Sequence, residues 1–279
     1  MKYNYELWSK LPYAGETMPP KNPDEPFAGS WTLNYLKRGK KGFLTPLGKP
    51  FKLAIKNPNL IDWNSELKVV QETLNNATPT QIQMAKYWGT GVPTKQWIPI
   101  VDRLIDTYGV SAPMAGRIQS ALFSTINDAF VVTWYLKFKW NVARPDQLDH
   151  ELATFICTPR HPTYPSGHAV ISGVAETILS YFFPGEAERL NELAEENAAS
   201  RMYGGVHFKI DDDQGLRLGR QIGRIIVNNL RRQKNSKNMP IDVPYKENLH
   251  ADLQPPPYDQ AIPFDFDTSC ESLVIPTYY

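Results

Sequence analysis

A chain of 279 residues, 42% hydrophobic and 21% charged, has enough apolar material to bury a sizeable core. Its formal charge of +1 gives no global pull toward nucleic acid or an anionic membrane, so no nucleic-acid partner is expected. The first residues, MKYNYELWSKLPYAGE, lack the apolar core of a signal peptide, and no run of about 18 apolar residues follows, which predicts no membrane partner.

Residues 1–63 are rich in Pro, Gly and Asn (PPKNPDEP, TPLGKP, KNPN) without a helical period, which predicts short strands or turns wrapped on a helical body. The basic runs at 37–41 and 231–237 read as solvated surface. Residues 64–232 read as a helical bundle. Short helices are expected over 65–75, over 79–88 with Thr78 as N-cap, and over 95–108 closed by Gly109. The strongest signal spans 112–141. There Ile118, Leu122, Ile126, Ala129, Phe130 and Thr133 recur at three- and four-residue steps, a stripe that faces a core. Trp134 and Lys137 continue the stripe, so the lysine points inward, where it needs an anionic partner to offset desolvation.

Further helices are expected over 166–183, 184–203 and 212–232. The last places Leu216, Gly219, Ile222, Gly223, Ile226 and Leu230 on one face, and its small residues permit close helix packing. Residues 233–279 turn Pro- and Tyr-rich. They predict an extended arm on the bundle or on a neighbouring subunit, the second use giving a homo-oligomer, with a disordered tail as the alternative. The fold class expected is therefore all-α: a helical bundle with a turn-rich N-terminal segment and an extended C-terminal arm. Cys157 and Cys270 read as two free thiols in a reducing compartment, and the chain as cytoplasmic.

Three short stretches carry the chemistry: KFKWNVARP (137–145), PSGH (165–168) and SRMYGGVHFKID (200–211). Lys137 and Arg144 lie seven residues apart, two helical turns, which predicts one face of a single helix ended by Pro145. PSGH precedes an apolar helical run, so it should form a helix N-terminus whose N–H groups and dipole favour an anion. Gly167 allows close backbone approach there, and Ser166 adds a hydroxyl. His207 and Asp211 are four apart, which brings the carboxylate under the imidazole and leaves Nε2 with a lone pair toward the anion. Arg201 suits bidentate contact with two oxygens. Together these residues form a socket for a tetrahedral oxyanion.

The pattern K-x6-R-P … P-S-G-H … S-R-x5-H-x3-D resembles the superfamily of vanadium-dependent haloperoxidases and type 2 phosphatidic acid phosphatases. Eleven fixed positions in one order, with three internal spacings kept, are specific where the word PSGH alone is weak. The resemblance covers residues 137–211. It implies that His207 bonds the central atom, as the axial ligand of vanadate or as the nucleophile that forms a phosphohistidine. It implies a general acid–base role for His168 and oxygen binding by Lys137, Arg144, Ser166, Gly167 and Arg201.

His161, four residues before the motif proline, resembles the vanadium bromoperoxidases. Trp134, three residues before Lys137, resembles a haloperoxidase tryptophan, with simple core packing as its alternative. These two form the candidate halide pocket. The implied function is a soluble haloperoxidase-like enzyme that holds vanadate and uses hydrogen peroxide to oxidise halide, bromide or iodide before chloride. The alternative is a soluble phosphatase acting on phosphate monoesters, and the third reading is a structural protein with a vestigial anion pocket. His150 and His250 lie outside the pattern and take no role, and no residue that orients His168 is legible.

Overall fold

In the computed structural model, which describes residues 3–263 and 270, local signals set most helix ends. Asp62 accepts from the Ser65 amide at 3.2 Å and starts α1 (Trp63–Asn75). Thr78 and Gln81 form a capping box with Pro79 in the first turn of α2 (Pro79–Gly89). Then follow α3 (Trp97–Thr107), α4 (Ala112–Trp140), α5 (Pro145–Leu148), α6 (Gly167–Phe182), α7 (Ala187–Tyr203) and α8 (Lys209–Leu230). The strands described are a single antiparallel hairpin, β1 (Lys37–Gly39) with β2 (Gly42–Leu44). The all-α class expected from sequence holds. No described helix is long and apolar enough to cross a membrane.

Most of the core-facing stripe of α4 is in place: Ile118, Leu122, Ile126, Ala129, Thr133 and Lys137 are buried, while Phe130 and Trp134 are half-buried. The helix nonetheless ends earlier than the motif suggests. Asn141 takes a left-handed φ of 55° and returns its N–H to Lys137 O at 2.7 Å, a left-handed helix stop. Arg144 is therefore not on the helix that carries Lys137. It is extended (φ −81°, ψ 161°), and Pro145 opens α5 rather than closing α4. Two smaller corrections concern the C-terminal half. Residues 184–186 form a separate 3-10 turn before α7, and α8 starts at Lys209, ahead of the expected 212.

Glycines bring α6 and α8 together. A Cβ at Gly219 would stand 2.0 Å from Val170 O, one at Gly173 2.6 Å from Leu216 O, and one at Gly215 2.7 Å from Ala169 Cβ. None of these positions admits a side chain without parting the helices. The close approach also joins their N-termini, where Ser166 N donates to Asp211 O at 3.1 Å. Packing thus fixes the spacing of two of the three motifs.

The N-terminal segment braces the other motif. Leu7 bridges Val142, Trp8 N donates to Asn141 O at 2.8 Å and Ala143 N to Glu6 O at 3.0 Å. Gln147 Nε2 donates to Trp8 O at 2.8 Å and to Leu11 O at 2.6 Å. Farther along, the buried Asp128 of α4 accepts the N–H groups of Asn34, Tyr35 and Leu36 at 2.6, 2.8 and 2.7 Å. A buried carboxylate so matched is a fixed clasp.

The C-terminal arm lies on the chain's own bundle. Tyr245 N donates to Phe182 O at 2.8 Å, Ala251 N to Glu186 Oε1 at 2.9 Å, and Gln260 Nε2 to Tyr87 O at 3.0 Å. Nothing in these contacts supports its use on a neighbouring subunit. The part of the arm at 264–269 and 271–279 lies outside the described residues. The arm also overturns the reading of two free thiols. Cys157 and Cys270, 113 residues apart in sequence, form a disulfide with Cα atoms 5.8 Å apart. Two bonded cysteines give no support to a reducing compartment.

Candidate active site

Lys137 arrives from α4 fully buried, and its Nζ donates to Pro162 O and Thr163 O, both at 2.7 Å. An ammonium has three donors, so one N–H is left for a ligand. Burial, then the Arg144 charge, push its pKa well below the ordinary lysine value. Arg144 reaches the same place from the extended link before α5. Its Nε donates to His161 O at 2.9 Å and its Nη1 to Val206 O at 2.6 Å. Two residues absent from each other's helix thus converge because backbone carbonyls of the 161–163 loop and of Val206 receive them.

His207 lies in the turn before α8, with Asp211 in the first turn of that helix. Its Nδ1 stands 2.8 Å from Asp211 Oδ2 and 3.1 Å from Thr163 Oγ1, and Arg144 Nη1 stands 3.0 Å from its Nε2. A guanidinium only donates, so Nε2 carries the lone pair and Nδ1 the proton. The expected tautomer is therefore in place, with Arg144 capping the lone pair. Thr163 also donates to Asp211, as does Phe208 N at 3.1 Å. Burial raises the Asp211 pKa to about 7 against the pull of these donors and of Lys137. Burial, with Arg144 and Lys137 behind it, holds His207 well below the usual imidazole value, so the ring is neutral at neutral pH.

Ser166 caps α6, its Oγ accepting from Ala169 N at 3.4 Å, and Gly167 begins that helix. A Cβ at Gly167 would meet the Trp134 ring at 3.6 Å, so this N-terminus lies against that indole. Arg201, in the last turn of α7, is buried, and burial lowers its pKa to about 10. Its Nε and Nη1 have no hydrogen-bond partner among the described residues, and neither does His168 Nε2. Burial and the charges of Arg201, Lys137 and Arg144 keep His168 neutral as well, while a bond to the Trp88 carbonyl opposes them. Three buried donor or acceptor atoms without partners cost free energy unless a ligand answers them.

The wall of the site is aromatic. The Trp134 and His161 rings lie 4.8 Å apart, Phe130 is 5.5 Å from Trp134, and Lys137 Nζ is 5.9 Å from the indole centroid. His161 Nδ1 stands 3.0 Å from Arg144 Nη2. Trp134 Nε1 donates to Asp24 O at 3.1 Å, so the N-terminal segment closes this side. Trp134 is thus packed and at the site at once.

All ten residues singled out in sequence share this electrostatic neighbourhood or touch a member of it. Sequence reading passed over Thr163, although it stands inside HPTYPSGH, because a threonine there reads as loop chemistry. It also passed over Asp212, buried beside Asp211 and Arg201, whose carboxyl burial and Asp211 hold well above the ordinary range. The group that orients His168 is a backbone carbonyl, which no residue letter encodes.

Residues 118–234 match the family described as the PAP2 superfamily. A vanadium-dependent bromoperoxidase of Corallina pilulifera is 33% identical over 23% of this chain and 15% of that protein, and one of Corallina officinalis is 32% identical over the same shares. A bacterial vanadium-dependent iodoperoxidase superposes with a TM-score of 0.54 at 26% identity, over 60% of this chain and 48% of that one. An apo-type bacterial vanadium-dependent chloroperoxidase superposes with a TM-score of 0.59 over 83% and 63%, and at 14% identity it is a likeness of fold alone. The chain spans 15% of the length of the curated bromoperoxidases it matches and about half of the iodoperoxidase.

Proposed function

We propose, from the match of residues 118–234 to the PAP2 superfamily, that the chain works as a vanadium-dependent haloperoxidase-like enzyme, oxidising bromide or iodide with hydrogen peroxide. The observation that carries this reading is the set of buried atoms without partners, Arg201 Nε and Nη1 and His168 Nε2. With the third N–H of Lys137 and the first-turn amides of α6, the Arg201 nitrogens supply donors for one small anion, and His168 Nε2 supplies an acceptor for a protonated oxygen on it. These residues fit an oxyanion such as vanadate. Bound vanadate supplies the capacity to pass an oxygen atom from peroxide to a halide.

The chain's own residues divide the remaining work. His207 would hold the oxyanion's central atom through Nε2, which now faces Arg144 Nη1 at 3.0 Å, and Asp211 with Thr163 keeps the proton on Nδ1. Lys137, Arg144 and Arg201 hold oxygens and spread their charge, and the added anion restores the lysine charge that burial suppresses. His168, neutral and unpartnered at Nε2, would accept a proton from peroxide and return one to a departing oxygen. Trp134 and His161 exclude water and line the halide side. The aromatic wall is what favours peroxidase over phosphatase chemistry, since a phosphate ester needs only the socket.

The second reading keeps the same socket and makes Nε2 of His207 the nucleophile toward a phosphate monoester; the family match supports it as well. Calorimetric titration with orthovanadate tests the shared premise. The parent should bind it, with phosphate competing, and His207→Ala should lose at least about a hundredfold in affinity with the ligand atom gone. Equal binding by that variant would remove His207 from the role.

A further inference from the structure

The last turn of α2 lies outside every motif, yet it touches two of the groups just described. The Trp88 carbonyl accepts from the His168 ring, and since Nε2 has no partner the donor is Nδ1. The nearby carbonyls of Tyr87 and Thr90 are taken elsewhere, accepting from Gln96 Nε2 at 2.6 and 3.1 Å. Trp88 is itself anchored, buried and donating from Nε1 to Glu196 Oε1 at 2.9 Å. Next to it, a Cβ on Gly89 would stand 2.9 Å from Arg201 Nη1 and 3.1 Å from Ile156 Cδ1. That Nη1 is one of the two Arg201 nitrogens without a partner. Gly89 sits within the helix span, where glycine costs about 0.5–1 kcal/mol relative to alanine. Space for the guanidinium, rather than backbone conformation, accounts for its presence.

We infer that Trp88 and Gly89 form a positioning element of the oxyanion site: Trp88 O sets the His168 tautomer, and Gly89 keeps the room in which Arg201 Nη1 faces a ligand. The inference rests on the oxyanion reading above and deepens it. A methyl group at 89 pushes the guanidinium aside without removing any charge, so it weakens anion binding while leaving the socket's residues intact. The carbonyl of Trp88 leaves Nε2 of His168 as the proton-accepting atom, which proton transfer to and from a bound oxygen needs.

The test is calorimetric binding of orthovanadate and of inorganic phosphate by the full chain, as parent, Gly89→Ala, Arg201→Gln and the double variant, with Gly116→Ala as a control at an open position of α4. Gly89→Ala should weaken both anions about 10- to 100-fold, Gly116→Ala should change nothing, and in the Arg201→Gln background Gly89→Ala should cost almost nothing more. Binding by Gly89→Ala as tight as the parent's, or an equal loss in both backgrounds, would overturn the inference while leaving the socket standing. A parent that binds neither anion would instead bring down the socket and the inference together. Independently of any variant, 15N shifts of the parent's imidazoles should place the neutral His168 proton on Nδ1; a proton on Nε2 would contradict the Trp88 part.

Discussion

The two sides of the socket are held by different means. Ser166, Arg201 and Asp211 stand at ends of α6, α7 and α8, and the first and last of these helices meet backbone to backbone through Gly173, Gly215 and Gly219. Trp134 and His161 face them from α4 and from a loop, held through few side-chain hydrogen bonds, Trp134 Nε1 to Asp24 O at 3.1 Å and His161 Nδ1 with Arg144 Nη2 at 3.0 Å. Displacing the first side means parting two helices. Displacing the second means breaking bonds worth about 1 kcal/mol each. The site residues at these helix ends are thus held rigidly, and the aromatic residues next to the anion can be tuned.

The contrast is most sharply broken at Gly219. Gly219→Ala places a methyl 2.0 Å from Val170 O, so urea denaturation should show a loss of about 3 kcal/mol or more. A loss below about 1 kcal/mol would mean that the α6–α8 seam gives easily. Asp211→Asn should come next. It keeps the shape but removes the charge that holds the His207 proton, and orthovanadate affinity should fall about 10- to 100-fold.

A third effect depends on pH. His168 is held well below its unfolded value near 6.5, so between that value and the folded one the unfolded chain binds the extra proton. This group's contribution is present above pH about 6.5 and is lost as pH falls through the window below it. Relative to His168→Gln, the parent should therefore lose stability as pH drops from 7 to 5, by up to about 1.4 kcal/mol per unit, read by denaturation of both proteins at each pH. A constant difference would place His168 in contact with water. The smallest effect belongs to the adjustable side. Trp134→Phe removes the bond to Asp24 O and should cost about 1 kcal/mol of stability, with a larger change in the Michaelis constant for halide than in that for peroxide.

Sequence periodicity located the bundle because burial repeats every turn: the α4 stripe and the α8 glycines needed no tertiary knowledge. Most of the site was legible where a side chain carries the chemistry, Thr163 and Asp212 excepted. It failed where backbone does. Arg144 was placed on the helix of Lys137 because seven residues make two turns, and only Asn141 in a left-handed conformation breaks that count. Trp88 O leaves no trace in the letters, and Gly89 reads as an ordinary helix end until Arg201 is seen against it. The Cys157–Cys270 bond was missed for a related reason, since an arm expected on the bundle or on a neighbouring subunit does not reveal which residue Cys270 meets.

The most direct test of the account compares two activities on one preparation, half loaded with orthovanadate and half left without it. We expect vanadate-dependent oxidation of bromide or iodide by hydrogen peroxide, lost in His207→Ala, with only weak hydrolysis of an activated phosphate monoester in the unloaded half. Efficient phosphate monoester hydrolysis, with no vanadate-dependent halide oxidation at any pH, would contradict it.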